Sequence, residues 1–283
     1  MDYIKDYLDY LKLERCLSEH TVRVYKNNLH EFHDYLGKSS SIRATKRKDI
    51  RAFLFSLANQ PITKRLKQTT LRNFFRFLED ENIIRDNPMK NLPMPKVINR
   101  EPSYLSELEI RKIIDAVKKD KSKFQKRNEV TIKILVETGF RLSELANISL
   151  NDINIESKTI KIRRKGNVEQ VVPINKGLNK LLKVFMRGKE PNEPLIKSSL
   201  GKRMTPRRLS IMVQKYLKEA GIARQGISVH SLRHSYCVRL LEKGASLRAT
   251  QILLGHKSIA TTERYMHLTK NQLAKEVELA EII

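Results

Sequence analysis

The sequence predicts a mainly α protein in two domains, with a small antiparallel β-sheet in the second. Three observations predict it. Apolar residues recur at helical spacing over most of the 283 residues, a length that accommodates two ordinary domains. Clear two-residue alternation is confined to residues 150–175. Four of the nine prolines lie between Pro88 and Pro102, in DNPMKNLPMPKVINREP, a stiff and extended stretch. That stretch reads as a linker, 88–104, between an N-terminal helical bundle, 1–87, and a second domain, 105–283.

In the first domain, Ile4, Leu8 and Leu11 fall on one face of a helix over residues 2–14, with Tyr3, Tyr7 and Tyr10 beside them. A second helix, from about Glu19 to Leu36, aligns Val22, Tyr25, Leu29, Phe32 and Leu36, and Gly37 stops it. A polar, basic loop with Ser39, Ser40 and Ser41 follows. A third helix covers about Lys48–Leu57 and a fourth Ile62–Asp80. The fourth is expected to turn Leu66, Phe74, Phe75 and Leu78 inward, and Lys64, Arg65, Lys67, Arg72 and Arg76 outward. Of these, Lys64, Arg65 and Arg72 are candidate phosphate contacts.

In the second domain, Ser106 and Glu109 form a capping box that opens a helix to about Lys119. The next helix runs from Phe124 to Thr138 and stops at Gly139. Arg141 precedes the short helix of Leu142–Leu145, so an anion beside it also meets a helix start. Glu144, three residues on, reads from its position alone as a first-turn acid favoured by the helix dipole. Strands are expected around Ile153–Ile155, Thr159–Arg163 and Glu169–Pro173, with Lys165-Gly166-Asn167 as a turn; a lysine there is ordinarily a solvated turn residue. Helices over about Lys176–Met186 and Pro206–Ala220 follow, the second with Thr205 as N-cap and Pro206 at N1. Lys202, Arg203, Arg207 and Arg208 surround that helix start and read as a clamp on a nucleic-acid backbone.

The chain carries 56 Lys and Arg against 31 Asp and Glu, a net charge of +25. That excess calls for a polyanionic partner, nucleic acid first and an anionic membrane surface second. No apolar run approaches a membrane span, and no signal-type leader opens the chain. Two cysteines far apart make no disulfide framework. The expectation is a cytoplasmic protein without membrane contact. No phosphate-cradling G-x-x-x-x-G-K-[ST] loop and no acidic cluster for paired Mg²⁺ occur, which disfavours ATP use and metal-assisted nuclease chemistry.

The chemistry concentrates in Ser228–Leu268. His230 and Arg233 share a helix face, a short helix over Leu247–Leu254 delivers His256 at its exit, and Tyr265 follows. Arginine forks suit phosphate, histidine donates to it or moves protons, and a tyrosine among cations is a candidate nucleophile. Together they suggest attack on a phosphodiester. His230, His234 and Cys237 also have metal-ligand spacing, but Arg233 between the histidines would repel a dication; no metal or other cofactor is expected, and His234 reads instead as a structural, hydrogen-bonded helix residue.

HSLRHS, LLGH and TTERYMH, in that order, resemble the C-terminal signature of the tyrosine recombinases, most nearly the Xer type that resolves chromosome dimers. TGFRLSEL resembles that family's first arginine box. The resemblance implies an N-terminal DNA-binding bundle and a catalytic domain that clamp a duplex. It implies Tyr265 as nucleophile, Arg141 and Arg233 as phosphate ligands, and Lys165 on the hairpin as general acid, with Arg164 one residue away. It further implies His230 in proton transfer, His256 as a donor to the phosphate, and Glu144 in an orienting role. The partners implied are a double-stranded, dif-like DNA site and other copies of the chain, two per site and four in a synapse. The apolar, acidic tail, 269–283, would dock on a neighbouring subunit, or on its own body. No motif identifies a regulatory protein. The alternatives are an integrase or transposon recombinase of the same fold, a topoisomerase IB-like enzyme, and a non-catalytic DNA-binding protein.

Overall fold

The computed structural model describes residues 2–37, 41–58, 60–95, 102–164, 166–222, 224, 226–255, 258, 260–263 and 265. Lys165, His256, Ser39, Ser40, the middle of the expected linker and the tail lie outside the described residues. The chain divides into two compact units, Met1–Arg100 and Glu101–Ile283.

Among the described residues, the first unit contains four α-helices: α1 (Tyr3–Leu13), α2 (Glu19–Leu36), α3 (Arg47–Ser56) and α4 (Pro61–Asp80). Local chemistry sets their ends. Asp2 and Ser18 accept the N–H of Lys5 and Thr21 at 3.1 and 3.3 Å, and Pro61 occupies the first turn of α4. The core is aromatic: Tyr7, Phe32, Phe53, Phe74 and Phe75 are buried, and the Phe32 and Phe53 rings meet edge to face at 5.1 Å.

Two orientations on α4 depart from the expected pattern. Leu66 is 46% exposed, whereas Lys67 is 7% exposed and pairs with Glu31. At roughly 100° per residue, seven residues back from Phe74 returns within about 20° of the same face, and eight overshoots by about 80°. Position 67 therefore faces the core and position 66 does not. Arg72 is not a free cation either, because its guanidinium donates to the Leu92 carbonyl. Gln68 Nε2 donates to the Pro93 carbonyl at 2.8 Å, and Met89 and Leu92 are buried in this unit's core. The segment read as linker is thus packed on the first unit at its N-terminal end.

The second unit begins with α5 (Glu107–Lys118), α6 (Gln125–Thr138) and α7 (Leu142–Asn147). Strands β1 (Ile153–Asn154), β2 (Thr159–Arg163) and β3 (Glu169–Pro173) form an antiparallel sheet in the order β1-β2-β3, with Ile160 opposite Val172 and Arg163 opposite Glu169. Then come α8 (Lys176–Met186), α9 (Pro206–Glu219), α10 (Val229–Glu242), α11 (Leu247–Leu254) and α12 (Ala260–Glu263). One core spans α5 to α10 and the inner face of the sheet. The Leu105 N–H donates to the buried Ser235 Oγ at 2.7 Å, which ties the start of the unit to α10. Among the described residues, no helix is long and apolar enough to cross a membrane.

Gly139 ends α6 at φ +64°, and a Cβ there would lie 2.7 Å from Tyr236 Cδ1 and 2.9 Å from Leu254 Cδ2. The left-handed backbone alone disfavours a side chain by about 1–2 kcal/mol. Gly139→Ala should lower stability by at least that amount, read as an earlier denaturation midpoint with an unchanged slope.

Candidate active site

The site is assembled around two acceptors, each shared by two arginines. The first is Glu144, 3% exposed, in the opening turn of α7. Its Oε2 accepts the Arg141 backbone N–H at 2.8 Å, and its Oε1 accepts Arg141 Nη1 at 2.7 Å and Arg164 Nη1 at 3.2 Å. Glu144 therefore holds the Arg141 side chain and caps the same helix start. The second acceptor is the Leu254 carbonyl at the end of α11, which receives Arg164 Nη1 at 2.7 Å and also Arg233 Nη2.

Arg233 lies in the first half of α10 and is buried, and its Nη1 donates to the Gly139 carbonyl at 2.7 Å. Burial, followed by the charge of Arg141, pushes its pKa down to about 10, so it stays cationic at neutral pH. Arg141 sits partly exposed at the N-cap of α7, where its fork remains accessible to an anion. Two arginines distant in sequence thus meet because the end of α6, the start of α7 and the end of α11 converge.

Tyr265 is 3% exposed and packs with Cys237, Val238, Leu241 and Leu254. Its hydroxyl shares a hydrogen bond with His234 Nδ1, and the two rings lie 5.7 Å apart. The residue on the phenol is therefore His234, one turn beyond His230, which is exposed on α10. Sequence reasoning placed His234 in a structural role and the tyrosine's proton on His230. Nothing local distinguishes the two, because i and i+4 share a helix face and the partner arrives from α12's far end. Cys237 is buried and its thiol is pushed up to about 12, which disfavours the metal-binding thiolate. Among the described residues, no group of three His, Cys, Asp or Glu side chains is arranged to hold a metal ion.

The structure also sorts the candidate DNA contacts. Arg203 is exposed, yet its fork is engaged by the protein itself: Nη1 donates to the Ala146 and Ile148 carbonyls at 2.9 Å each, and Nη2 to Ser149 Oγ at 2.7 Å. Arg72 is likewise occupied. Arg65, Lys202, Arg207 and Arg208 are exposed, and Lys64 is half-buried. Arg164, named from the sequence only as the neighbour of Lys165, takes a buried place in the site that the sequence reading did not assign to it. A signal for it existed, since burial alternates along β2 with Ile160 and Ile162 inward, and the same parity carries Arg164 inward.

A helical unit followed by a helical unit bearing a small hairpin, with arginines and a tyrosine gathered at its helix ends, is the fold of the integrase-type DNA recombinases. The structure of XerH site-specific recombinase bound to palindromic difH substrate, a post-cleavage complex, matches with TM-score 0.77 and 25% identity over 99% of this chain and 84% of that one. A lambda integrase dimer bound to a COC′ core site shares the fold, with TM-score 0.77 and 21% identity over 92% and 95% of the two chains. The chain belongs to the phage integrase family, the tyrosine recombinases, whose members cut and rejoin DNA. Residues 103–272 match that family's model, and residues 4–82 match the phage integrase N-terminal SAM-like domain. Similar curated relatives are the tyrosine recombinases XerC of Oceanobacillus iheyensis, 34% identical over 96% of this chain and 93% of that protein, and XerD of Rickettsia bellii, 34% identical over 97% of each.

Burial, with the nearby charges of His230 and Arg233, pushes the His234 pKa down from 6.5 to about 4. The unfolded chain then binds this proton at a higher pH than the folded one, so stability falls as pH drops through that window. Acidification from about pH 7 to about pH 5 should lower Tm more in the native protein than in His234→Gln. Equal losses in thermal melts would show that His234 is not the group responsible.

Proposed function

We propose that this chain is a site-specific recombinase of the Xer type, which acts in the cytoplasm on a dif-like site and resolves chromosome dimers. The observation that carries the chemistry is the shared-acceptor arrangement, in which Glu144 and the Leu254 carbonyl hold Arg141 and Arg233 close to one another. The full-length likeness to XerC and XerD proteins supports the choice of Xer type. Integrase and transposon recombinases share the fold, so fold alone does not separate them.

In this reading, the Tyr265 oxygen attacks the scissile phosphorus and the bond to the 5′ oxygen breaks. Arg141 and Arg233 bind the non-bridging oxygens and stabilise the pentacovalent state, because a planar fork matches two phosphate oxygens at once. Lys165 gives its proton to the leaving 5′ oxygen, His230 receives the proton of Tyr265, and His256 donates to the phosphate. The 3′-phosphotyrosyl bond conserves the energy of the phosphodiester, so rejoining is the same step reversed by an incoming 5′ hydroxyl. Because Tyr265 is packed against His234, cleavage requires it to leave that setting. Four protomers exchange strands, with the tail of each, 269–283, on its neighbour, and the two units of each protomer clamp the duplex.

A nicked suicide duplex carrying a dif-like site, resolved on a denaturing gel, tests the central step. A protease-sensitive adduct should form in EDTA and disappear in Tyr265→Phe; an adduct that persists in that variant would reassign the nucleophile. Arg233→Lys should slow cleavage by about 100-fold or more, since a point charge cannot replace two directed donors. Near-normal single-turnover cleavage by that variant would remove Arg233 from the phosphate site. DNA affinity should fall roughly 10³- to 10⁵-fold between about 50 and 200 mM salt if six to ten phosphates are contacted. A flat salt response would count against the clamp.

A further inference from the structure

We propose that Arg164 is a positioning residue for strand cleavage: it holds the β2–β3 turn in register with Arg141 and Arg233. The proposal rests on the reading of Lys165 as general acid, because Lys165 is the next residue in the chain.

The guanidinium of Arg164 is 8% exposed as part of its residue and is consumed by the protein. Nε donates to Gln170 Oε1 at 2.6 Å, Nη1 to Glu144 Oε1 at 3.2 Å and to the Leu254 carbonyl at 2.7 Å, and Nη2 to the Leu253 carbonyl at 2.7 Å. Four of its five N–H groups are bonded in this way, against two in Arg233, so Arg164, unlike Arg233, keeps no pair of donors for a phosphate. Its partners define its work instead. Glu144 is the acceptor of Arg141, and the Leu254 carbonyl is the acceptor of Arg233. Arg164 is therefore bonded to the support of each arginine at once.

The backbone of Arg164 is fixed as firmly as its side chain. Its N–H donates to the Val168 carbonyl at 2.8 Å and its carbonyl accepts from Asn167 at 3.1 Å, so it forms the foot of the turn. Gln170, which pairs with Ile162 in the sheet, donates Nε2 to the Ile252 carbonyl at 2.9 Å. The hairpin thus grips the end of α11 through three successive carbonyls. The grip is shaped for an arginine: a Cβ on Gly255 would fall 2.4 Å from Arg164 Nε and 2.5 Å from its Cζ. A hairpin whose tip must deliver a proton within hydrogen-bond reach needs such an anchor, because misplacement by about 1 Å costs on the order of 100-fold in rate.

The test separates proton delivery from all other effects. In ordinary DNA the P–O5′ bond breaks and the 5′ oxygen takes a proton from Lys165. When sulfur replaces that oxygen, the P–S bond breaks and a thiolate leaves unprotonated, since a thiol has a pKa of about 8.5 against about 15.7 for water. Single-turnover cleavage of nicked duplexes bearing a dif-like site, with oxygen or sulfur at the scissile 5′ position, is compared for the native chain, Lys165→Ala, Arg164→Met and Gln170→Ala. Lys165→Ala should lose about 10²- to 10⁴-fold on oxygen and recover on sulfur. Arg164→Met should lose about 100-fold on oxygen and recover most of it on sulfur, with DNA affinity unchanged. Gln170→Ala, which removes only the neutral partner, should shift the same way by less, and answers the question if Arg164→Met does not fold. Recovery of Lys165→Ala beside equal losses of the Arg164 and Gln170 variants on both substrates, or no loss at all in them, overturns the proposal. Failure of Lys165→Ala itself to recover on sulfur overturns the general-acid reading instead.

Discussion

The end of α11 is the constraint on which the site depends. A helix leaves its last carbonyls without intrahelical partners and presents the negative end of its dipole. Here Ile252, Leu253 and Leu254 present those carbonyls to Gln170, Arg164 and Arg233, two of which are buried cations. Hydrogen bonds from charged donors contribute roughly 1.5–3 kcal/mol each, and a buried guanidinium deprived of acceptors would cost several times more. The helix end and the arginines therefore stabilise each other. The end of α6, the start of α7, α10 and the hairpin all bond to this group of residues.

The net charge of +25 overstates the surface available to DNA. Arg72, Arg127, Arg164, Arg203, Arg233 and Arg239 each donate to backbone carbonyls, and Lys67 is buried against Glu31. Arginine suits this work because its fork reaches several oxygens and stays charged when desolvated. Part of the basic composition is thus structural, bonding loop and helix-end carbonyls, and part is left to solvent, as at Arg65, Lys202, Arg207 and Arg208.

Much of the fold was legible in the chain because its signals are local. Ser106 with Glu109, Thr205 with Pro206, and Gly139 mark helix ends by chemistry completed within a few residues, and each does so in the structure. The alternation at Thr159–Arg163 and Glu169–Pro173 likewise needs only the pleat, and the hairpin forms over those residues. The one pattern misjudged within an element, Leu66 against Lys67, failed where a stripe was extended two turns without correcting for helical drift.

The sequence by itself determined the helices and the hairpin, marked the boundary between two units and singled out the candidate arginines and tyrosine, since periodicity, caps and motif spacing are properties of neighbours along the chain. Tertiary structure alone decided which cations were spent and which stayed exposed. It decided that Arg72 would meet the Leu92 carbonyl, that Arg203 would close the end of α7, that Glu144 would serve Arg141 and Arg164 together, and that the tyrosine would rest on His234 rather than His230. The reason is physical: a side chain's bonding partner is whichever oxygen or ring nitrogen lies opposite it once distant segments pack, and no local pattern encodes that placement.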